Sequence, residues 1–201
     1  GGICASARLI HKASERTLVE RLSKVIRLFL EYGTTTLEVK SGYGLEIAQE
    51  MKMLKVIRAA SGLVDLVPTL LIHAVPARFM RRRREYLELV TNRLIPQVAR
   101  QGLADYCDVF CDRGYFSVAE TKKLLSVAAR HGMKLKLHAE QMAHSGAAAM
   151  AARLHATSVD HLDHLTDSDI RLLRGTGTIA TLLPGSVLHL DTGLYPPARR
   201  L

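Results

Sequence analysis

Apolar residues recur at two different spacings along the chain, and the alternation between those spacings outlines the fold. Between Ser14 and Tyr32, the residues Leu18, Val19, Leu22, Val25, Ile26, Phe29 and Leu30 recur at helical spacing. Ser14 supplies an N-cap oxygen and Gly33 a stop, so a helix is expected there. The next stretch, T-T-T-L-E-V-K over 34–40, is β-branched and reads as a strand, ending in the loop Ser41-Gly42-Tyr43-Gly44. The pattern then predicts helices over 47–60, 81–100, 117–131, 146–154 and 167–174. Between them it predicts strands over 64–73, 105–110, 134–138, 158–160 and 178–182.

Strands that alternate with helices form right-handed βαβ units and a parallel sheet covered by helices. A doubly wound sheet and a (β/α)8 barrel both fit. Two features favour the barrel. No glycine-rich dinucleotide fingerprint follows the first strand, and polar residues gather at the C-terminal ends of strands, where barrels build their sites. Those ends carry Lys40 and Tyr43, His73, Asp112, His138 with Glu140 and Gln141, and His161. Six strands are found where a barrel has eight. The fold class expected is therefore α/β, a partial (β/α)8 TIM barrel in one incomplete domain over 1–201, read as the middle of a larger protein.

Composition narrows the function classes. With 48% hydrophobic and 23% charged residues, the chain can bury a sizeable core. It has no run of eighteen apolar residues and no secretory pattern at its start, so a cytoplasmic protein without a membrane partner is expected. The net charge of +9 directs attention to Arg81–Arg84. Tyr86, Leu87, Leu89, Val90 and Leu94 follow that run at helical spacing, which makes it the solvated start of a helix. There is no Trp to interleave with the basic residues, and no nucleic-acid partner is expected. Cys4, Cys107 and Cys111 are too few and too scattered for a disulfide framework. Cys107 and Cys111 share a predicted strand about 13 Å apart, too far to hold one zinc.

Candidate chemistry centres on K-L-K-L-H-A-E-Q over 134–141, a strand ending in His138, Glu140 and Gln141. An imidazole at a strand end is a common ligand for zinc or iron, and more often still a hydrogen-bonded structural residue. His161, one βα unit later, is expected to face the same mouth. Neighbouring strands put two such backbones about 5 Å apart, so one histidine can hold a metal while the other handles a proton or a substrate. His73 ends a strand before Pro76, and Tyr43 lies between two glycines in a loop. Each could contact a substrate; otherwise His73 caps a loop and Tyr43 serves packing alone. Glu140 could orient a ligand, shuttle a proton or simply enter a helix.

On these residues the sequence resembles the imidazolonepropionases, metal-dependent amidohydrolases of histidine degradation. The matching segments are G-G-I at the start, T-T-T-L-E-V-K-S-G-Y-G-L over 34–45 and H-A-V-P over 73–76. D-V-F-C over 108–111, L-H-A-E-Q over 137–141, D-H-L over 160–162 and L-L-P-G over 182–185 complete the set. The resemblance implies hydrolysis of the cyclic C–N bond of 4-imidazolone-5-propanoate to N-formimidoyl-L-glutamate. It implies His138 as a metal ligand, with zinc or iron as the metal. Tyr43, His73 and Gln141 are implied as substrate contacts and His161 as the catalytic acid/base. A small-molecule substrate follows, and a homodimer is compatible with the family, although no interface is legible in the sequence.

The family's H-x-H pair and a substrate-binding arginine would precede Gly1, and its last metal-binding aspartate would follow Leu201. The expectation is thus a fragment with one histidine ligand, inactive alone. A non-catalytic truncated barrel or binding module, and a deaminase of the same superfamily, stand as alternatives.

Overall fold

The computed structural model describes residues 2–60, 62 and 64–201, apart from the side chain of Cys4. Gly1 of the G-G-I segment and the thiol of Cys4 thus lie outside the described residues.

Among the described residues six strands are present: β1 (Thr36–Lys40), β2 (Asp65–Ile72), β3 (Tyr106–Cys111), β4 (Lys134–Ala139), β5 (Ser158–His161) and β6 (Ile179–Thr181). Their order in the sheet is their order in the chain. A doubly wound sheet reverses its strand order at a switch point, so this order decides for the succession of βα units expected of a partial barrel. The pairings β1–β2, β4–β5 and β5–β6 are parallel. Helices follow the strands as the pattern predicts: α3 (Ile47–Ala59), α6 (Val118–Arg130), α7 (Ala147–Arg153) and α8 (Asp167–Thr176); a further helix, α9 (Pro184–Leu190), follows β6 where none was expected.

The chain divides into two compact units, Gly1–Cys107 with His131–Met133, and Asp108–Arg130 with Lys134–Leu201. In the first, α2 (Glu15–Glu31) is capped by Ser14, whose side chain accepts from the Thr17 N–H. An additional helix, α1 (Gly2–Lys12), precedes it. No acidic residue marks its first turn, so it lacks the start signal that Glu15 gives α2.

The stretch 81–100, expected as one helix, is broken into parts. A 3₁₀ turn (Ala77–Arg82) leads into α4 (Arg83–Leu89), a wider π turn (Val90–Leu94) follows, and α5 (Ile95–Arg100) completes it. The cause is Pro96, which has no N–H and whose ring crowds the preceding turn. The chain accommodates it by inserting a residue, and the Ile95 N–H reaches the Val90 carbonyl. The arginine run behaves as a solvated surface: Arg82 pairs with Glu85 at 3.1 Å and Arg84 with Glu88 at 3.0 Å, both exposed.

One carboxylate holds the K-S-G-Y-G loop after β1. Glu50 of α3 is buried, and it accepts the N–H groups of Gly42 and Leu45, each at 2.6 Å. Burial pushes its pKa up, against the lowering effect of Ser41 and these amides. The turn needs glycine at 42, where φ is +102° and an added Cβ would lie 2.8 Å from the Leu71 side chain. Gly42→Ala is expected to lower stability by roughly 2–4 kcal/mol, from backbone strain plus overpacking. Urea denaturation measures this; an unchanged midpoint would show that the loop relaxes freely.

Candidate functional site

In the second unit, strand alternation builds a row of polar side chains. Asp108 of β3 points to the face opposite Cys107 and Val109, and His138 of β4 to the face opposite Leu137 and Ala139. Asp160 of β5 is the parallel partner of His138. The His138 Nδ1 lies 2.9 Å from Asp108 Oδ1, and its Nε2 lies 3.7 Å from Asp160 Oδ2. Both carboxylates are buried.

Strict alternation would turn His161 away from this row. Its backbone instead adopts φ +79°, followed by Leu162 at φ +68°. The left-handed step brings the His161 ring to 5.4 Å from the His138 ring, centroid to centroid. Phe110 meets the His138 ring edge-on at 6.0 Å. The two strand-end histidines therefore share one site, as their spacing suggests, by a conformation that spacing does not reveal.

The loop after β4 is held by two buried carboxylates. Asp112 Oδ2 accepts the N–H groups of Gln141 at 2.8 Å and Met142 at 2.9 Å. Glu140 is fully buried in a left-handed conformation. Its oxygens accept from the Ser145 N–H at 2.6 Å, the Ser145 hydroxyl at 3.3 Å and the Ala148 N–H at 3.1 Å. This carboxylate caps the start of α7, so of the roles open to Glu140 the structure supports helix entry. The Gln141 side-chain amide donates to the Ser186 hydroxyl of α9 at 3.2 Å.

Asp108, His138 and Asp160 are the group able to hold a metal ion among the described residues; one ligand atom from each falls within 4.8 Å of the others. Mixed imidazole and carboxylate donors suit zinc or iron. Sequence reasoning singled out His138 but gave neither aspartate a role, although both stand in the matching segments D-V-F-C and D-H-L. A carboxylate at an inward position between the buried Cys107 and Val109 was the available signal.

In the first unit, the Tyr43 and His73 rings meet edge-on at 5.0 Å, which brings together the ends of β1 and β2. Lys40 is ion-paired with Glu38 at 3.7 Å. Cys107 and Cys111 are buried thiols not joined in a disulfide. Burial pushes Cys111 up to about 11, helped by Glu140, Asp112 and Glu120 and opposed by Thr121. It is a protonated thiol at neutral pH, unsuited to nucleophilic attack.

Compared with curated proteins, the chain is 40% identical over 204 residues to the imidazolonepropionase of Thermoanaerobacter pseudethanolicus, covering 100% of this chain and 49% of that protein. Identity to the imidazolonepropionase of Myxococcus xanthus is 42% over 204 residues, covering 100% and 48%. The chain is similar to imidazolonepropionases along its whole length. It spans about half the length of the curated relatives it matches. No family model matches the sequence. Among solved structures, the apo N6-methyl-AMP deaminase from Arabidopsis thaliana matches with a TM-score of 0.66 at 13% identity, covering 93% of this chain and 59% of that one. That likeness is one of fold. The likeness to imidazolonepropionases extends to sequence.

Beside the site, Asp163 is buried and its Oδ1 has no hydrogen-bond partner among the described residues. Burial raises its pKa from 3.8 to about 6; the Asp112 charge adds to the rise and His164 opposes it. A raised acid favours its protonated form in the fold, so this contribution to stability is full below pH 3.8 and is lost as pH rises through about 6. Asp163→Asn is expected to be more stable than the wild type at pH 7, with the difference vanishing near pH 4. Urea midpoints across that range check it; a difference independent of pH would refute the assignment.

Proposed function

We propose that this chain is the part of an imidazolonepropionase that carries its β4 and β5 histidines. The activity is hydrolysis of the cyclic C–N bond of 4-imidazolone-5-propanoate to N-formimidoyl-L-glutamate. The observation that carries this reading is identity of about 40% to imidazolonepropionases over the full chain, with K-S-G-Y-G and H-A-E-Q intact. The deaminase alternative rests on a likeness of fold alone.

In this reading His138 is a ligand of a zinc or iron ion. When bound, such an ion supplies Lewis acidity, polarising a carbonyl and acidifying a water. His161 is the catalytic acid/base: its ring stands 5.4 Å from that of His138, near enough to take a proton from an attacking water and return it to the leaving ring nitrogen. The Gln141 backbone is fixed by Asp112 and its amide donates to Ser186, leaving the amide oxygen to accept from a ring N–H of the substrate. Tyr43 and His73 are assigned as further substrate contacts on their motifs, K-S-G-Y-G and H-A-V-P. A cytoplasmic location and a homodimer belong to the same proposal. Among the described residues no helix is long and apolar enough to cross a membrane.

Expressed in its full reading frame and supplied with zinc or iron, the protein is expected to hydrolyse 4-imidazolone-5-propanoate. Absence of turnover with the metal bound would sink the reading. His161→Asn should lower kcat by roughly 10²- to 10⁴-fold with metal content unchanged, as for loss of a general acid/base. His138→Ala should lose metal and activity together.

A further inference from the structure

The group Asp108, His138 and Asp160 is chemically uneven, and its hydrogen bonding separates the roles. An imidazole carries one ligand nitrogen and one nitrogen that sets its tautomer. Asp108 Oδ1 sits 2.9 Å from Nδ1, a full hydrogen bond to a carboxylate that is wholly buried. A carboxylate in that position accepts, so Nδ1 carries the proton and the lone pair lies on Nε2. Asp160 Oδ2 is 3.7 Å from Nε2, too long for a hydrogen bond. The same separation is what two ligands of one ion show: bonds of about 2.1 Å meeting at roughly 120° span it. The ring also has little freedom to turn over, since Phe110 meets it edge-on at 6.0 Å and His161 at 5.4 Å.

We propose that Asp108 is a positioning residue that fixes His138 in its Nδ1–H tautomer, and that Asp160 shares with His138 Nε2 the binding of a divalent cation. The three residues are then two ligands and an orienter rather than three ligands. Asp108 stands behind the ring, and the cation lies on the opposite side with Asp160. An orienting carboxylate of this kind also raises the basicity of the ligand nitrogen, and its loss typically weakens metal binding by about 10- to 100-fold. The assignment depends on His138 being the metal ligand but not on which substrate is hydrolysed.

The test uses the 201-residue chain and two readouts, with folding of each variant checked by circular dichroism. The first needs no metal: ¹⁵N-resolved histidine NMR of the metal-free wild type should show His138 as the Nδ1–H tautomer. An Nε2–H tautomer would overturn the role of Asp108, whether or not any variant folds. Asp108→Ala should abolish this preference, Asp108→Asn should retain it through its amide oxygen, and Asp160→Ala should leave it unchanged. An Asp108→Ala variant that keeps the Nδ1–H tautomer would also refute the role. The second readout is titration with Co²⁺, followed by its visible spectrum. Asp108→Ala should weaken binding about 10- to 100-fold, and Asp160→Ala should weaken it at least as much. Co²⁺ binding unaffected by Asp160→Ala, or no Co²⁺ binding by the wild type, would overturn the shared-cation assignment. Both readouts are independent of imidazolone turnover, so failure here and failure of the functional reading are distinguishable.

Discussion

Buried carboxylates that accept backbone N–H groups are the constraint on which the strand-end loops depend. Loops that follow parallel strands carry amides with no ladder partner, and hiding them from water unpaired costs about 1–3 kcal/mol each. Glu50 meets this need for Gly42 and Leu45, Asp112 for Gln141 and Met142, and Glu140 for Ser145 and Ala148. Asp169 closes the reciprocal cap of α8 with Thr166 and also receives His144. Its burial alone would raise its pKa, but these hydrogen bonds hold it below the ordinary value. Each acid sits on or beside the element that it ties down, so the candidate site residues project from loops already fixed at their backbones.

This division of labour separates residues that look alike in sequence. Glu140 and Gln141 are adjacent and polar, yet Glu140 is consumed by capping while Gln141 presents its side chain toward Ser186. Asp160 and His161 are also adjacent, and the left-handed backbone at His161 lets both contribute to one side of the sheet despite the two-residue repeat of a strand.

The order and type of the strands were legible because short apolar runs alternate along the chain with stretches of helical periodicity. The capped helix after Ser14 was legible for a similar reason, since cap and periodicity agree. The helix Gly2–Lys12 was not, having no acidic first turn, and the π turn before Pro96 was hidden because proline shows where a helix is disturbed but not how. At the site, His138 and His161 stood out by residue type and position. Asp108 and Asp160 did not, because their importance arises from contact with a ring on another strand, a relation that no local window contains.

The consecutive left-handed residues His161 and Leu162 bear on how this sequence could be improved artificially. For residues with a Cβ, this conformation costs about 1–2 kcal/mol apiece, a cost that glycine escapes. Leu162 is fully buried, so glycine at that position would relieve the strain only by opening a cavity that costs more, about 2–5 kcal/mol. Core packing and ring alignment thus hold the same strained peptide unit in place, and directed evolution for heat resistance has no glycine route around it.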